Sequence, residues 1–123
     1  MQRVLVVDDE RLVADTLTLV FGKNGFEART AYSAEEALNA ARTFQPDLLL
    51  CDVSMPGKDG LLLMKEINRE LPDCRILMLT GFYSNLATVQ QHAKRLRQPI
   101  GILTKPCQPA DLLREANTLL ATA

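Results

Sequence analysis

The sequence predicts an α/β domain, a doubly wound five-stranded parallel sheet in a three-layer α/β/α stack. Three observations carry the prediction. Residues 4–7, 48–51, 75–79 and 100–103 form short, largely apolar runs, which suit strands buried on both faces. Segments with apolar residues at helical spacing alternate with these runs. The order strand then helix repeats five times, which requires right-handed crossovers and a helix layer on either side of the sheet.

At 123 residues the chain fits one domain spanning 1–123, long enough to bury about two-thirds of its unfolded surface. Its 47% hydrophobic and 24% charged residues are ordinary for a globular protein. A net charge of −1 argues against general affinity for nucleic acid or membrane. No apolar run is long enough for a bilayer, and Met1 to Val4 has no secretory pattern, so the expected compartment is the cytoplasm. The three cysteines, Cys51, Cys74 and Cys107, lack metal-ligand spacing and read as small hydrophobes.

In chain order, the run at 4–7 is β-branched and ends in Asp8-Asp9-Glu10. Val13, Leu17, Val20 and Phe21 then form a helical stripe, with Gly22 and Gly25 flanking its end. Residues 26–31 read as a modest strand. Ser33 looks like an N-cap, and Glu36 three residues later would complete a capping box. Ala34, Ala37, Leu38 and Ala41 give that second helix its inner face, and Pro46 closes the connection to the central strand. The central run stops at Asp52, and Pro56, Gly57 and Gly60 turn the chain.

A third helix carries Leu63, Met64, Ile67 and Leu71 and stops at Pro72. The fourth strand ends at Thr80-Gly81. Leu86, Val89, Ala93 and Leu96 indicate a fourth helix. The fifth strand ends at Thr104-Lys105-Pro106. Pro109 suits the first turn of a last helix, with Asp111 near its positive end and Leu112, Ala116, Leu119 and Leu120 inward.

The chemically interesting side chains all follow strand ends: Asp8 and Asp9 the first, Asp52 the third, Thr80 the fourth, Lys105 the fifth. In a parallel sheet those ends share one edge, where ligands bind in open α/β sheets. Three crowded carboxylates call for a cation, and oxygen-only donors indicate a hard one such as Mg2+, or another divalent ion such as Mn2+. A cation, the Lys105 ammonium and the Thr80 hydroxyl around one carboxylate make a place for three phosphoryl oxygens, with Asp52 as nucleophile forming an acyl phosphate.

With Asp8-Asp9, Asp52 followed by Met55-Pro56 and Gly60, Thr80-Gly81 and Lys105-Pro106 in this order, the whole chain resembles the receiver domains of two-component response regulators. The resemblance implies a flavodoxin-like strand order 2-1-3-4-5. It implies phosphoryl transfer to Asp52 from a histidine kinase or phosphotransfer protein, and output through a downstream effector. Asp9, Asp52 and the backbone carbonyl of Ser54 would ligate Mg2+, with Asp8 acting through a water. Such a domain is a phosphoacceptor rather than an enzyme, beyond phosphorylating itself from small donors and losing the phosphoryl group again.

In that family the threonine moves inward on phosphorylation and a strand-five aromatic follows, reordering the face of the fourth helix, fifth strand and fifth helix. Here Ile102 stands where the aromatic is usual, so the switch residues would be Thr80 and Ile102. Ser54 and Phe82 would flank the path of hydrolytic water. The segment with Lys94, Arg95, Arg97 and Pro99 is longer and more basic than usual and reads as a solvated helix end, with His92 a surface residue. Three alternatives compete. A haloacid-dehalogenase-type phosphatase would usually have an acid where Ser54 stands. An FMN carrier would have its phosphate repelled by Asp8, Asp9 and Glu10. An interaction module never regulated by phosphate would have no use for the intact set of five.

Overall fold

In a computed structural model, residues 1–53, 60–81, 90–91, 94 and 100–121 are described. They form five strands, β1 (Arg3–Val7), β2 (Glu27–Ala31), β3 (Leu48–Asp52), β4 (Arg75–Thr80) and β5 (Ile100–Thr104). Three helices, α1 (Arg11–Lys23), α2 (Ala34–Phe44) and α3 (Gly60–Glu70), connect the first strands, and a C-terminal helix spans Pro109–Ala121. All strand pairs are parallel, in the order β2-β1-β3-β4-β5. The fold is therefore the flavodoxin-like α/β arrangement anticipated from sequence. The expected helix over Leu86, Val89, Ala93 and Leu96 falls on residues outside the described set; Gln90 and Gln91 are helical, and Lys94 N–H donates to Gln90 O at 3.3 Å.

Alternation of side chains sorts the strand residues into two cores. One packs Leu5, Val7, Leu49, Cys51, Ile76 and Met78 against α2 and α3, through Ala37, Ala41, Leu63, Met64 and Ile67. The other packs Val4, Val6, Leu48, Leu50, Leu77 and Leu79 against α1 and the C-terminal helix, through Ala14, Phe21, Leu112 and Ala116. Every residue of β3 is buried, as expected for the central strand of a sheet covered on both faces. Phe26 lies just before β2 rather than in it, edge-on to Phe21 with ring centroids 5.3 Å apart.

The helix ends follow local chemistry. α1 runs through Gly22 to Lys23, caps at Asn24, and turns at Gly25 with φ of 91°, a left-handed value that glycine tolerates. Ser33 Oγ accepts from Glu36 N at 3.1 Å, forming one half of the expected capping box. Asp111 accepts from Gln108 N at 3.2 Å at the start of the C-terminal helix. All three cysteines are free, and Cys51 and Cys74 are buried. Burial pushes the Cys74 thiol up to about 12, as suits a packing residue. Among the described residues no helix is long and apolar enough to cross a membrane.

Candidate functional site

The site is built where β1 and β3, hydrogen-bonded neighbours, both end in acid. Val7 pairs with Cys51, so the residues that follow, Asp8 and Asp52, lie side by side at the sheet's edge. Asp8 N donates to Ala31 O at 3.2 Å, extending the β1–β2 ladder one step. The Asp8 carboxylate turns back to accept from Glu10 N at 3.0 Å, taking one of the unpaired N–H groups at the start of α1. Asp9 is exposed at the rim. Carboxylate oxygens of Asp8, Asp9 and Asp52 all lie within 4.8 Å of one another.

Lys105 reaches the cluster from beyond β5. Its N–H donates to Thr80 O at 2.8 Å, which ties the start of its loop to the end of β4, and the Lys105–Pro106 peptide is cis. Its ammonium donates to Asp52 Oδ2 at 2.8 Å and stands 3.7 Å from Asp8 Oδ2. Burial alone would pull the Lys105 pKa down. The hydrogen bond to Asp52 and the charges of Asp52, Asp8 and Glu10 outweigh it and hold the ammonium above the ordinary lysine value.

One ammonium faces three carboxylates, so the pocket keeps an excess of negative charge. Burial pushes the Asp8 carboxyl up; the Glu10 N–H bond opposes this and the Asp52 charge reinforces it. Asp8 Oδ2 is buried without a hydrogen-bond partner. A buried carboxylate oxygen left this way is costly unless something positive meets it. Carboxylate oxygens gathered within 4.8 Å of one another, with a buried Asp8 oxygen that lacks a hydrogen bond, fit a hard divalent cation.

Thr80 closes β4 fully buried, opposite Thr104 of β5. Ile102 pairs with Met78 and lies half-buried against the α2–α3 core. The sequence-derived residues Asp8, Asp9, Asp52 and Lys105 thus converge, with Thr80 on the adjoining strand end. Ser54 and Phe82 lie outside the described residues, as do His92, Arg95, Arg97 and Pro99.

Two features of the site were not anticipated from sequence. Gly60, read there as a turn residue, sits against the main chain of Asp52. Arg11 lies over the Tyr32 ring at 4.2 Å, while Tyr32 donates its hydroxyl proton to Asp15 at 2.6 Å. This cluster joins α1 to the end of β2. Nothing in the spacing of residues 11, 15 and 32 announces it, because the packing of α1 beside β2 brings them together.

The comparisons with known proteins agree with this geometry. The sequence matches the response regulator receiver domain family over residues 4–117. It is 32% identical over 122 residues to the alkaline phosphatase synthesis transcriptional regulatory protein PhoP of Bacillus subtilis, covering 97% of this chain and 48% of that protein. The chain therefore spans about half the length of that curated relative. Among solved structures, the Vibrio cholerae chemotaxis protein CheY4 superposes with a TM-score of 0.87 at 30% identity, covering 97% of this chain and 98% of the other. A response regulator from Chloroflexus aurantiacus, described as putative, superposes with a TM-score of 0.84 at 35% identity, covering 98% of both chains. With its family match spanning nearly the whole sequence and its acidic pocket at the sheet's carboxyl edge, this chain belongs to the response regulator receiver domains of two-component signalling.

Proposed function

We propose that this chain accepts a phosphoryl group on Asp52 and passes the change to a partner protein, as one receiver domain covering residues 1–123. The observation that carries the reading is the 2.8 Å bond from Lys105 to Asp52 inside a triangle of carboxylates. Asp52 is 7% exposed and so poorly hydrated, which suits a nucleophile. A carboxylate oxygen of Asp52 attacks the phosphorus of a phosphohistidine on a sensor histidine kinase or phosphotransfer protein. The P–N bond breaks, the imidazole leaves, and an acyl phosphate forms.

Asp9, Asp52 and the Ser54 carbonyl would hold a divalent cation, Mg2+ or Mn2+, and Asp8 would meet it through a water. Bound there, the ion supplies positive charge to the phosphoryl oxygens. Lys105 exchanges its bond to Asp52 for one to a phosphoryl oxygen, and the Thr80 hydroxyl donates to another. Thr80 and Ile102 then carry the change to the face of β5 and its neighbouring helices, where a downstream effector protein or domain binds. The chain is on this reading a signalling domain that works in the cytoplasm.

Incubation with Mg2+ and acetyl phosphate, followed by intact-mass measurement, tests the proposal. The wild type gains one phosphoryl group, and removing the divalent ion or making Asp52→Asn abolishes the gain. Full labelling of Asp52→Asn at the wild-type rate would sink the assignment.

A further inference from the structure

We infer that Gly60 is a positioning residue for Asp52, an inference that rests on the proposed role of Asp52 as phosphoacceptor. A Cβ placed on Gly60 would overlap the carbonyl oxygen of Asp52, and would stand 2.9 Å from Val53 Cα and 3.2 Å from the Asp52 carbonyl carbon. These are backbone atoms, which cannot rotate out of the way as a side-chain tip can. The requirement is for space, since Gly60 is not among the glycines of positive φ.

Its N–H also donates to Val53 O at 3.2 Å, so the first residue of α3 is fastened to the peptide that follows the phosphoacceptor. Asp52 is held on its other sides by the sheet: it pairs with Leu79, and Val53 N donates to Leu79 O at 2.9 Å. Gly60 is thus the seat on which the end of β3 rests.

A methyl group at this position forces either α3 or the Asp52–Val53 peptide to move. α3 is anchored by Leu63, Met64 and Ile67, all essentially inaccessible in the core. The overlap falls on the Asp52–Val53 peptide at the very end of β3, and a shift of that peptide carries the Asp52 carboxylate with it. Asp8 and Asp9 follow β1 and stay behind. The triangle of carboxylates and the 2.8 Å contact with Lys105 are distorted together. A displacement of about 1 Å at a reacting group costs on the order of 100-fold in rate.

The test compares Gly60→Ala with Gly101→Ala, using acetyl phosphate labelling, Mg2+ titration and thermal melting. Gly101 is also crowded, since a Cβ there would lie 2.7 Å from Leu119 Cδ1 and 2.9 Å from Leu77 Cδ1, but these neighbours are side-chain tips rather than the main chain of Asp52. Gly101→Ala should lower the melting temperature and leave the labelling rate of the folded protein unchanged. Gly60→Ala should lower the maximal labelling rate by roughly 10- to 100-fold at saturating donor, and weaken Mg2+ binding. If Gly60→Ala is unfolded in buffer, trimethylamine N-oxide restores the fold without restoring the rate. A folded Gly60→Ala protein with wild-type rate and Mg2+ affinity would overturn the inference. Failure of the wild type to take a phosphoryl group would instead overturn the reading of the site, and Mg2+ affinity alone would then decide the role of Gly60.

Discussion

Asp8 illustrates how much of this site is set by single residues. It is buried with one carboxylate oxygen lacking a hydrogen bond, and burial holds its carboxyl above the usual aspartate range. A folded-state pKa above the unfolded value near 3.8 means that protonated Asp8 favours the fold. That contribution is complete below the unfolded pKa and is lost as pH rises through the folded one. At neutral pH the Asp8 carboxylate therefore opposes folding, despite the Lys105 ammonium 3.7 Å away. In metal-free buffer at neutral pH, Asp8→Asn should raise the melting temperature by a few degrees, and the gain should shrink as pH falls toward about 4. A lower melting temperature at neutral pH would contradict this. Asp9 behaves differently. Because Asp9 is proposed as a direct ligand, Asp9→Ala should weaken Mg2+ binding well beyond Asp8→Ala by titration. These residues were legible because each follows a strand's last apolar residue. The seat at Gly60 was not, because a glycine in a turn sequence does not reveal which backbone approaches it.

At the scale of elements, apolar periodicity located the described strands and helices, and local chemistry set their ends. Ser33 marks the start of α2 by its side-chain bond. The end of α2 carries no such mark. Gln45 adopts φ of 54°, a left-handed conformation usually left to glycine, with its N–H donating to Ala41 O at 2.9 Å. Pro46 beyond it indicated a stop, yet nothing named the residue that turns.

β4 and β5 carry the proposed output. Thr80 is buried opposite Thr104, while Ile102 is half-buried beside Met78. A branched side chain with few rotamers and no hydroxyl makes a poor swinging element. Thr80→Ala should therefore uncouple phosphorylation from the response beyond β4. Ile102→Ala should leave phosphorylation nearly intact and change partner affinity modestly. Amide chemical shifts with and without beryllofluoride check both. Shifts that move around Ile102 while those at Thr80 and Gly81 stay still would contradict this route.

The whole molecule explains why residues far apart in sequence meet. Parallel pairing sends every strand's carboxyl end to one edge, so Asp52 and Lys105, 53 positions apart, come within 2.8 Å. That convergence was readable from strand order alone. The contact of Arg11 with Tyr32 was not, since it depends on how α1 lies beside β2. On the proposed function this assembly directs phosphoryl chemistry to one carboxylate. Borohydride reduction of the protein after acetyl phosphate treatment, followed by peptide mass mapping, tests it most directly, because an acyl phosphate is reduced to an alcohol at the residue that bore it. Homoserine is expected at position 52, dependent on Mg2+ and absent from untreated protein. Reduction at Asp8 or Asp9 with Asp52 intact, or a phosphoryl group that resists borohydride, would contradict it.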